Sequence, residues 1–185
     1  MSGRFLLGRA NPVRLAILFV ALGASSLAVS AVAAQAVADP AAAFLSTNRG
    51  HAGVVETASG LQYKVLTPGQ GDSKPTDADI ALVNYEGKLA DGTTFDKSQQ
   101  PTPMPITGVV PGFAEGLKLM PRGAKYRFWI KPALGYGSEA NGPIPGNSVL
   151  VFDVEMLDFL PETVVRQMME QQQAQAATGT APAQP

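Results

Sequence analysis

The chain has 185 residues, of which 45% are hydrophobic and 16% charged, and its net charge at pH 7 is −1. This length suits one domain with short appendages, and the apolar content excludes a wholly disordered chain. The chain has no cysteine and a single histidine, which argues against disulfides, a cysteine nucleophile and thiolate or histidine metal sites. It has no surplus of basic residues, which argues against a nucleic-acid partner.

The first 38 residues have the three-part pattern of a secretory signal peptide. Residues 1–14 carry three arginines and no acid, residues 15–34 carry no charge, and residues 31–33 and 36–38 both read A-x-A. A basic start, an apolar middle and a small-residue end are typical of a cleaved export signal. The alternative is an uncleaved anchor in the inner membrane, because about 20 apolar residues can span a bilayer. We expect cleavage, and therefore a periplasmic or secreted protein that contacts the membrane only if this segment is retained.

The remaining chain divides into a lead-in, one globular stretch and a polar C-terminal segment. Residues 39–60 are small and polar and predict a linker or a short helix. Residues 61–160 have the composition of a folded domain. Residues 161–175 are rich in helix formers, with valines and methionines on one face, and predict a helical extension. Residues 176–185 are of low complexity and predict a disordered tail.

Within the globular stretch, apolar and polar side chains alternate over several short runs. The runs begin near Leu61, Ile80, Ala124 and Leu150. A period of two is that of strands in a sheet with one buried face. The pair Asp91-Gly92 is a strong turn signal and predicts a hairpin with a further extended segment after it.

A single helix is predicted among these strands, over residues 111–120. It begins at Pro111, and Phe113, Leu117 and Met120 fall on one side. Proline is favoured in the first turn of a helix because its missing N–H would have no partner there. We therefore predict an α+β domain in which a curved antiparallel sheet of about five strands wraps around one short helix.

The sequence lacks the common motifs of covalent and phosphate chemistry. It contains no G-x-S-x-G motif and no glycine-rich phosphate loop. What remains is a set of aromatic residues around the predicted helix, with Asp96 directly after Phe95. A carboxylate beside apolar rings is costly unless it is paired or solvated. Asp96 is therefore either part of a functional site or the cap of a turn.

Six short strings occur in an order that suggests a known family. Together they resemble the FKBP-type peptidyl-prolyl cis-trans isomerases, in particular the exported bacterial branch that includes macrophage infectivity potentiator-like proteins. The resemblance covers residues 55–160. The strings are 59–63 (SGLQY), 83–87 (VNYEG), 91–96 (DGTTFD), 109–113 (VVPGF), 134–137 (LGYG) and 150–154 (LVFDV).

The resemblance implies a fold of the predicted kind with a shallow apolar pocket between sheet and helix. It implies isomerase activity without a nucleophile, metal or cofactor. The catalytic residues it implies are Asp96, Tyr136 and Phe152. The substrate-binding residues it implies are Tyr85, Phe95, Met104, Val109, Val110, Phe113 and Ile144.

Three places depart from the pattern of the family, one of which is the loop of residues 138–143, whose composition differs. Phe113 stands where the family often has tryptophan, and Met104 stands where an aromatic residue is common. These changes bear on substrate preference and on affinity for macrolide inhibitors more than on the basic activity. They also support an alternative hypothesis, a chaperone or binding module with weak or no isomerase turnover.

The resemblance also implies the partners of this chain. We expect unfolded or proline-containing exported proteins as substrates, and macrolides as possible inhibitors. Related exported proteins often dimerise through a long helical N-terminal region, and residues 39–55 are too short for one. We therefore expect a monomer.

Overall fold

The computed structural model describes residues 39–178. The predicted signal peptide of residues 1–38 and residues 179–185 of the predicted tail lie outside this described part. None of the helices within it combines the length and the apolar character needed to cross a bilayer.

The described residues form three α-helices and seven strands, with short 3-10 turns at 106–108 and 132–134. In chain order the elements are α1 (Pro40–Arg49), β1 (Val54–Glu56), β2 (Gln62–Thr67), β3 (Asp79–Leu89), β4 (Thr94–Lys97), β5 (Thr102–Pro105), α2 (Pro111–Leu117), β6 (Lys125–Ile130), β7 (Leu150–Pro161) and α3 (Glu162–Thr178).

The seven strands form one sheet in which every pairing is antiparallel. The order is β1-β2-β6-β7-β3-β4, and β5 pairs with a different part of β3 from β4. The longest ladder joins β3 to β7, from Asp79 opposite Pro161 to Leu89 opposite Leu150. The predicted α+β class with an antiparallel sheet is confirmed.

The predicted number of about five strands was too low, because the sequence pattern missed β1 and β5. Both are only three or four residues long, and β5 contains Pro103 and Pro105. Segments this short show no clear alternation, and proline argues against a central strand. Within the described residues β5 pairs only with β3, so it lies at an edge. Proline at an edge strand hinders the addition of a further strand.

The main core lies between one face of the sheet and α2. Phe113 and Leu117 of α2 are buried against Phe128 of β6 and Phe152 of β7. Gly116 allows the helix to approach this closely, because a Cβ atom at its position would lie 2.8 Å from the Phe128 ring. The predicted apolar face of the helix therefore points into the core.

The opposite face of the sheet is covered by α1, which lies in the segment predicted as a linker or a short helix. Asp39 caps this helix by accepting a hydrogen bond from the Ala41 N–H at 2.9 Å. Ala41 and Leu45 pack with Trp129 and Val149 into a second, smaller cluster. Trp129, the only tryptophan of the chain, is thereby 8% exposed although it projects from the outer face.

Polar contacts also fasten α1 to the sheet. The fully buried Gln62 donates to the Leu45 carbonyl at 2.9 Å and to Glu56 at 2.7 Å, and it accepts from Asn48 at 2.8 Å. The hydrogen bond from Gln62, together with the Arg49 cation, lowers the pKa of the Glu56 carboxyl. Buried amides with all their polar groups paired fix one orientation of a helix.

The C-terminal helix α3 follows β7 directly and continues to Thr178, past the predicted boundary at residue 175. Val164, Met168 and Met169 of its predicted apolar face are exposed, and Val165 is half-buried.

We expect Gly116→Ala to lower the free energy of unfolding by about 1–3 kcal/mol, because the added methyl group would overlap the Phe128 ring. Urea denaturation measures the change. The matched test is the double variant Gly116→Ala/Phe128→Leu, whose cost should be smaller than the sum of the two single costs because leucine leaves room for the methyl group. Additive costs would show that the contact with Phe128 does not limit how closely α2 approaches.

Candidate active site

A groove with a volume of about 300 Å³ opens beside α2 on the core face of the sheet. Its lining residues come from β3, β4, β5, β7, the start of α2 and two loops. The set is Tyr85, Asp96, Met104, Gly108, Val109, Val110, Phe113, Tyr136 and Phe152. Eight of the ten residues proposed from the sequence thus meet at one place.

The floor of the groove is aromatic. The Phe113 and Phe152 ring centroids lie 4.7 Å apart, and Phe113 meets the Phe128 ring edge-on at 6.3 Å. Phe113 is 3% exposed, so its ring presents one edge to the groove while the rest supports the core. A floor of this kind offers an apolar surface with few water contacts to a ring-shaped ligand.

Phe95 supports this floor without lining the groove. Its ring meets Phe152 edge-on at a centroid distance of 5.5 Å. Gly87 on β3 makes room for both rings, since a Cβ atom there would lie 2.8 Å from each. The role of Gly87 was not predicted from the sequence, although a glycine within a long strand signals a close approach of this kind.

The rim of the groove carries a paired tyrosine and aspartate. The Tyr85 hydroxyl donates to Asp96 Oδ2 at 2.7 Å, and Asp96 Oδ1 accepts from the Lys97 N–H at 2.8 Å. Burial, followed by the hydrogen bond to Asp96 and the charge of its carboxylate, raises the pKa of Tyr85 to about 12. The phenol is protonated at neutral pH, as an ordinary tyrosine is, and the raised pKa extends its ability to donate to more alkaline pH.

The turn between β3 and β4 is capped by Asp91 and not by Asp96. In the hairpin between β3 and β4, Asp91 accepts from the Thr93 N–H at 2.8 Å, and Gly92 takes a positive φ of 90°. Asp96 lies within β4, beyond this turn. Its side chain is therefore available to the groove.

The remaining predicted residues differ in their access to the groove. Tyr136 follows the 3-10 turn at 132–134 and is 40% exposed, with its ring at the groove wall. Val110 is the residue before the first turn of α2, and its carbonyl accepts from Phe113 and Ala114 N–H groups. Ile144, which the resemblance placed among the substrate-binding residues, is 5% exposed, packs in the main core and is not part of the groove lining. Its backbone exchanges two hydrogen bonds with Asn141 in a tight turn.

The aspartates near residue 75 take structural roles. Asp79 accepts from the N–H and the hydroxyl of Thr76, and Asp77 pairs with Lys118 at 2.7 Å. Within residues 39–178, no three aspartate, glutamate, histidine or cysteine side chains come together as metal ligands would.

A larger cavity of about 590 Å³ lies between α1 and the loop that follows β6. Its lining includes the paired charges of Arg49 and Glu56 and several backbone turns. The smaller groove is the stronger candidate, because it combines an aromatic floor, a positioned carboxylate and a tyrosine with a strongly raised pKa.

Comparisons of the sequence and the fold with known proteins identify the family of this chain. Residues 71–157 match the family model of the FKBP-type peptidyl-prolyl cis-trans isomerase. A crystal structure of a peptidyl-prolyl cis-trans isomerase from Pseudomonas syringae pv. tomato is 36% identical, has a TM-score of 0.62, and is covered over 90% of its chain and 64% of this one. The chain belongs to the FKBP-type peptidyl-prolyl cis-trans isomerase family. The resemblance noted from the sequence is confirmed.

Curated members of the family are similar over part of their length. FkpA of Aeromonas hydrophila is 47% identical over 62% of this chain and 43% of its own. The peptidyl-prolyl cis-trans isomerase Mip of Coxiella burnetii is 44% identical over 65% of this chain and 54% of its own. The chain spans about half the length of these relatives. Residues 19–65 also match the model of the domain amino terminal to the isomerase, a match that begins inside the predicted signal peptide.

We expect Asp96→Asn to bring the pKa of Tyr85 down from about 12 toward its ordinary value of 10, because the charge of the carboxylate is removed. Titration of ¹³C-labelled tyrosine by NMR measures this pKa, with Tyr85→Phe to assign the signal. In the unaltered protein the raised pKa contributes stability that is complete below about pH 10 and is lost as pH rises through about 12. An unchanged Tyr85 titration in Asp96→Asn would contradict the role given to the carboxylate.

Proposed function

We propose that this protein is a peptidyl-prolyl cis-trans isomerase acting on proline-containing segments of unfolded exported proteins. The observation that carries the proposal is the aromatic groove in which Phe113 and Phe152 lie beside the Tyr85–Asp96 pair. Family membership adds support. The reaction is slow without a catalyst, taking tens to hundreds of seconds, so it can limit the folding of newly exported chains.

The proposed mechanism requires no covalent step. The barrier to rotation, about 18–20 kcal/mol, comes from resonance of the prolyl amide. Twisting the amide removes this resonance and makes the bond less polar. An apolar groove that excludes water therefore favours the twisted amide over the planar one, which is how it would lower the barrier.

Each groove residue has a proposed part in this mechanism. Phe113 and Phe152, with Phe95 behind them, would hold the proline ring. The Tyr136 hydroxyl and the Val110 N–H would donate to carbonyls on either side of the proline, so that one side of the amide is fixed while the other rotates. Val109 and Met104 would form the walls.

The proposed role of Asp96 is electrostatic stabilisation of the twisted amide. Its carboxylate would favour the partial positive charge at the carbonyl carbon that develops as resonance is lost. The Tyr85 hydroxyl, which is protonated at neutral pH, donates to Asp96 Oδ2 and keeps it at the rim of the groove.

The second candidate function is a chaperone or binding module that uses the same groove and the helical tails, with weak or no turnover. The exposed side chains of Val164, Met168 and Met169 on α3 favour it, because flexible methionines suit unspecific apolar partners. The two functions can occur in one protein.

We also propose a periplasmic or secreted location and a monomeric state. The basic and apolar pattern of residues 1–38 supports the location, with an inner-membrane anchor as the alternative. The packing of α1 against its own sheet supports the monomer. A dimer in sedimentation velocity that disappears when residues 161–185 are deleted would overturn the monomeric state and identify α3 as the interface.

We expect Phe152→Ala to lower kcat/KM for a Leu-Pro test peptide by roughly 10- to 100-fold, because an apolar contact of this size contributes about 1.5–3 kcal/mol. A protease-coupled assay measures the rate, and rapamycin should inhibit the unaltered protein. The matched control is Phe44→Ala, which removes a partly buried phenylalanine from the outer cluster and should leave the rate unchanged.

Suppression of aggregation of an unfolded protein separates the two candidate functions. Loss of isomerase rate with intact suppression in Phe152→Ala would show that both exist and use different surfaces. A folded wild-type protein that does not accelerate isomerisation would exclude the first function and leave the chaperone.

A further inference from the structure

One edge of strand β3 has a gap in its pairing at Tyr85, the tyrosine at the rim of the groove. On the edge that faces away from β7, β3 pairs with β5 over residues 80–83 and with β4 over residues 86–88. Neither strand reaches Tyr85. An antiparallel strand leaves backbone N–H and C=O groups without ladder partners wherever its neighbour ends.

Ser98, the first residue after β4, fills this gap. Its hydroxyl accepts from the Tyr85 N–H at 2.9 Å and lies 3.3 Å from the Tyr85 carbonyl, to which it donates. The Ser98 N–H donates to the same carbonyl at 3.0 Å. One serine thus satisfies both backbone polar groups of Tyr85, in place of a paired strand.

The Tyr85 side chain depends on where this backbone is held. Its hydroxyl reaches Asp96 at 2.7 Å, and its ring contacts Phe113 and Phe152 at centroid distances of 6.3 and 6.4 Å. A small displacement of the strand would lengthen the hydrogen bond to Asp96, since such bonds weaken steeply with distance and angle.

Ser98 itself is not part of the groove lining. Its side chain borders a separate depression on the sheet, among charged residues that include Lys97 and Glu155. Any effect of Ser98 on catalysis must therefore pass through another residue.

We infer that Ser98 is a positioning residue for this site, because its hydroxyl fixes the backbone of Tyr85 and so sets the Tyr85 hydroxyl against Asp96. The kinetic part of this inference rests on the proposed isomerase function. The structural part does not, because it concerns a hydrogen bond that can be observed without substrate.

The test compares Ser98→Ala with Ser98→Thr, which keeps a hydroxyl at the same place. In Ser98→Ala, amide hydrogen exchange at Tyr85 should speed up by at least about tenfold, because the N–H loses its acceptor. Ser98→Thr should restore the protection. The matched control is Thr102→Ala at the first residue of β5, which removes a different hydroxyl-to-carbonyl bond, to Gln100; exchange at Tyr85 should not change.

The kinetic arm measures kcat/KM of the same variants. Ser98→Ala should lose about tenfold and Ser98→Thr should recover most of it. In a Tyr85→Phe background the same substitution should cost no more than about twofold, since the hydroxyl it positions is already gone. Urea denaturation confirms that each variant is folded under assay conditions.

The outcomes distinguish the inference from the proposed function. An equal loss of activity from Ser98→Ala with and without the Tyr85 hydroxyl would overturn the inference, and so would unchanged exchange at Tyr85. A wild-type protein without isomerase activity would overturn the proposed function, while the exchange measurements would still decide whether Ser98 holds Tyr85.

Discussion

The packing of the Phe113 ring against Phe152 is the contact on which the rest of this structure depends. It joins the one helix on the core face to the longest strand of the sheet, and the same two rings form the floor of the groove. Core and site are therefore not separate parts of the molecule. Two glycines make this arrangement possible. Gly116 of α2 faces the Phe128 ring, and Gly87 of β3 faces the rings of Phe95 and Phe152. Close packing leaves little freedom for rings held in this way, so the shape of the floor is fixed before any ligand arrives.

The rim is organised by a different principle, the satisfaction of polar groups. Tyr85 lies where β3 lacks a neighbouring strand, and Ser98 supplies the missing hydrogen bonds. The backbone held in this way carries the hydroxyl that pairs with Asp96, and burial and the negative charge together raise the pKa of Tyr85. The polar contacts of the rim thus arise where β3 lacks a neighbouring strand at Tyr85. The floor residue Phe152 instead lies on β7, which is paired on both sides.

On the outer face of the sheet, apolar packing and buried hydrogen bonds hold α1 in place. α1 covers Trp129, while Gln62 and Asn48 form buried hydrogen bonds that fix the helix in one place. By contrast, α3 leaves valine and methionine side chains exposed. The two helices therefore differ in how their apolar side chains are placed, since Ala41 and Leu45 of α1 are buried and Val164, Met168 and Met169 of α3 are exposed.

The sequence by itself determined the elements whose signals are local. Period-two alternation predicted the long strands, Asp91-Gly92 the hairpin, and Pro111 with its apolar face the helix, because each pattern arises from neighbours along the chain. The family strings added most of the residues that meet in the groove. Only the tertiary structure decided that β1 and β5 are strands, that Ile144 is buried, and that Gly87 and Ser98 serve the site. These features depend on contacts between segments brought together by strand pairing. Only Gly87 has a local signal, a glycine within a strand, and that signal does not identify the rings it faces.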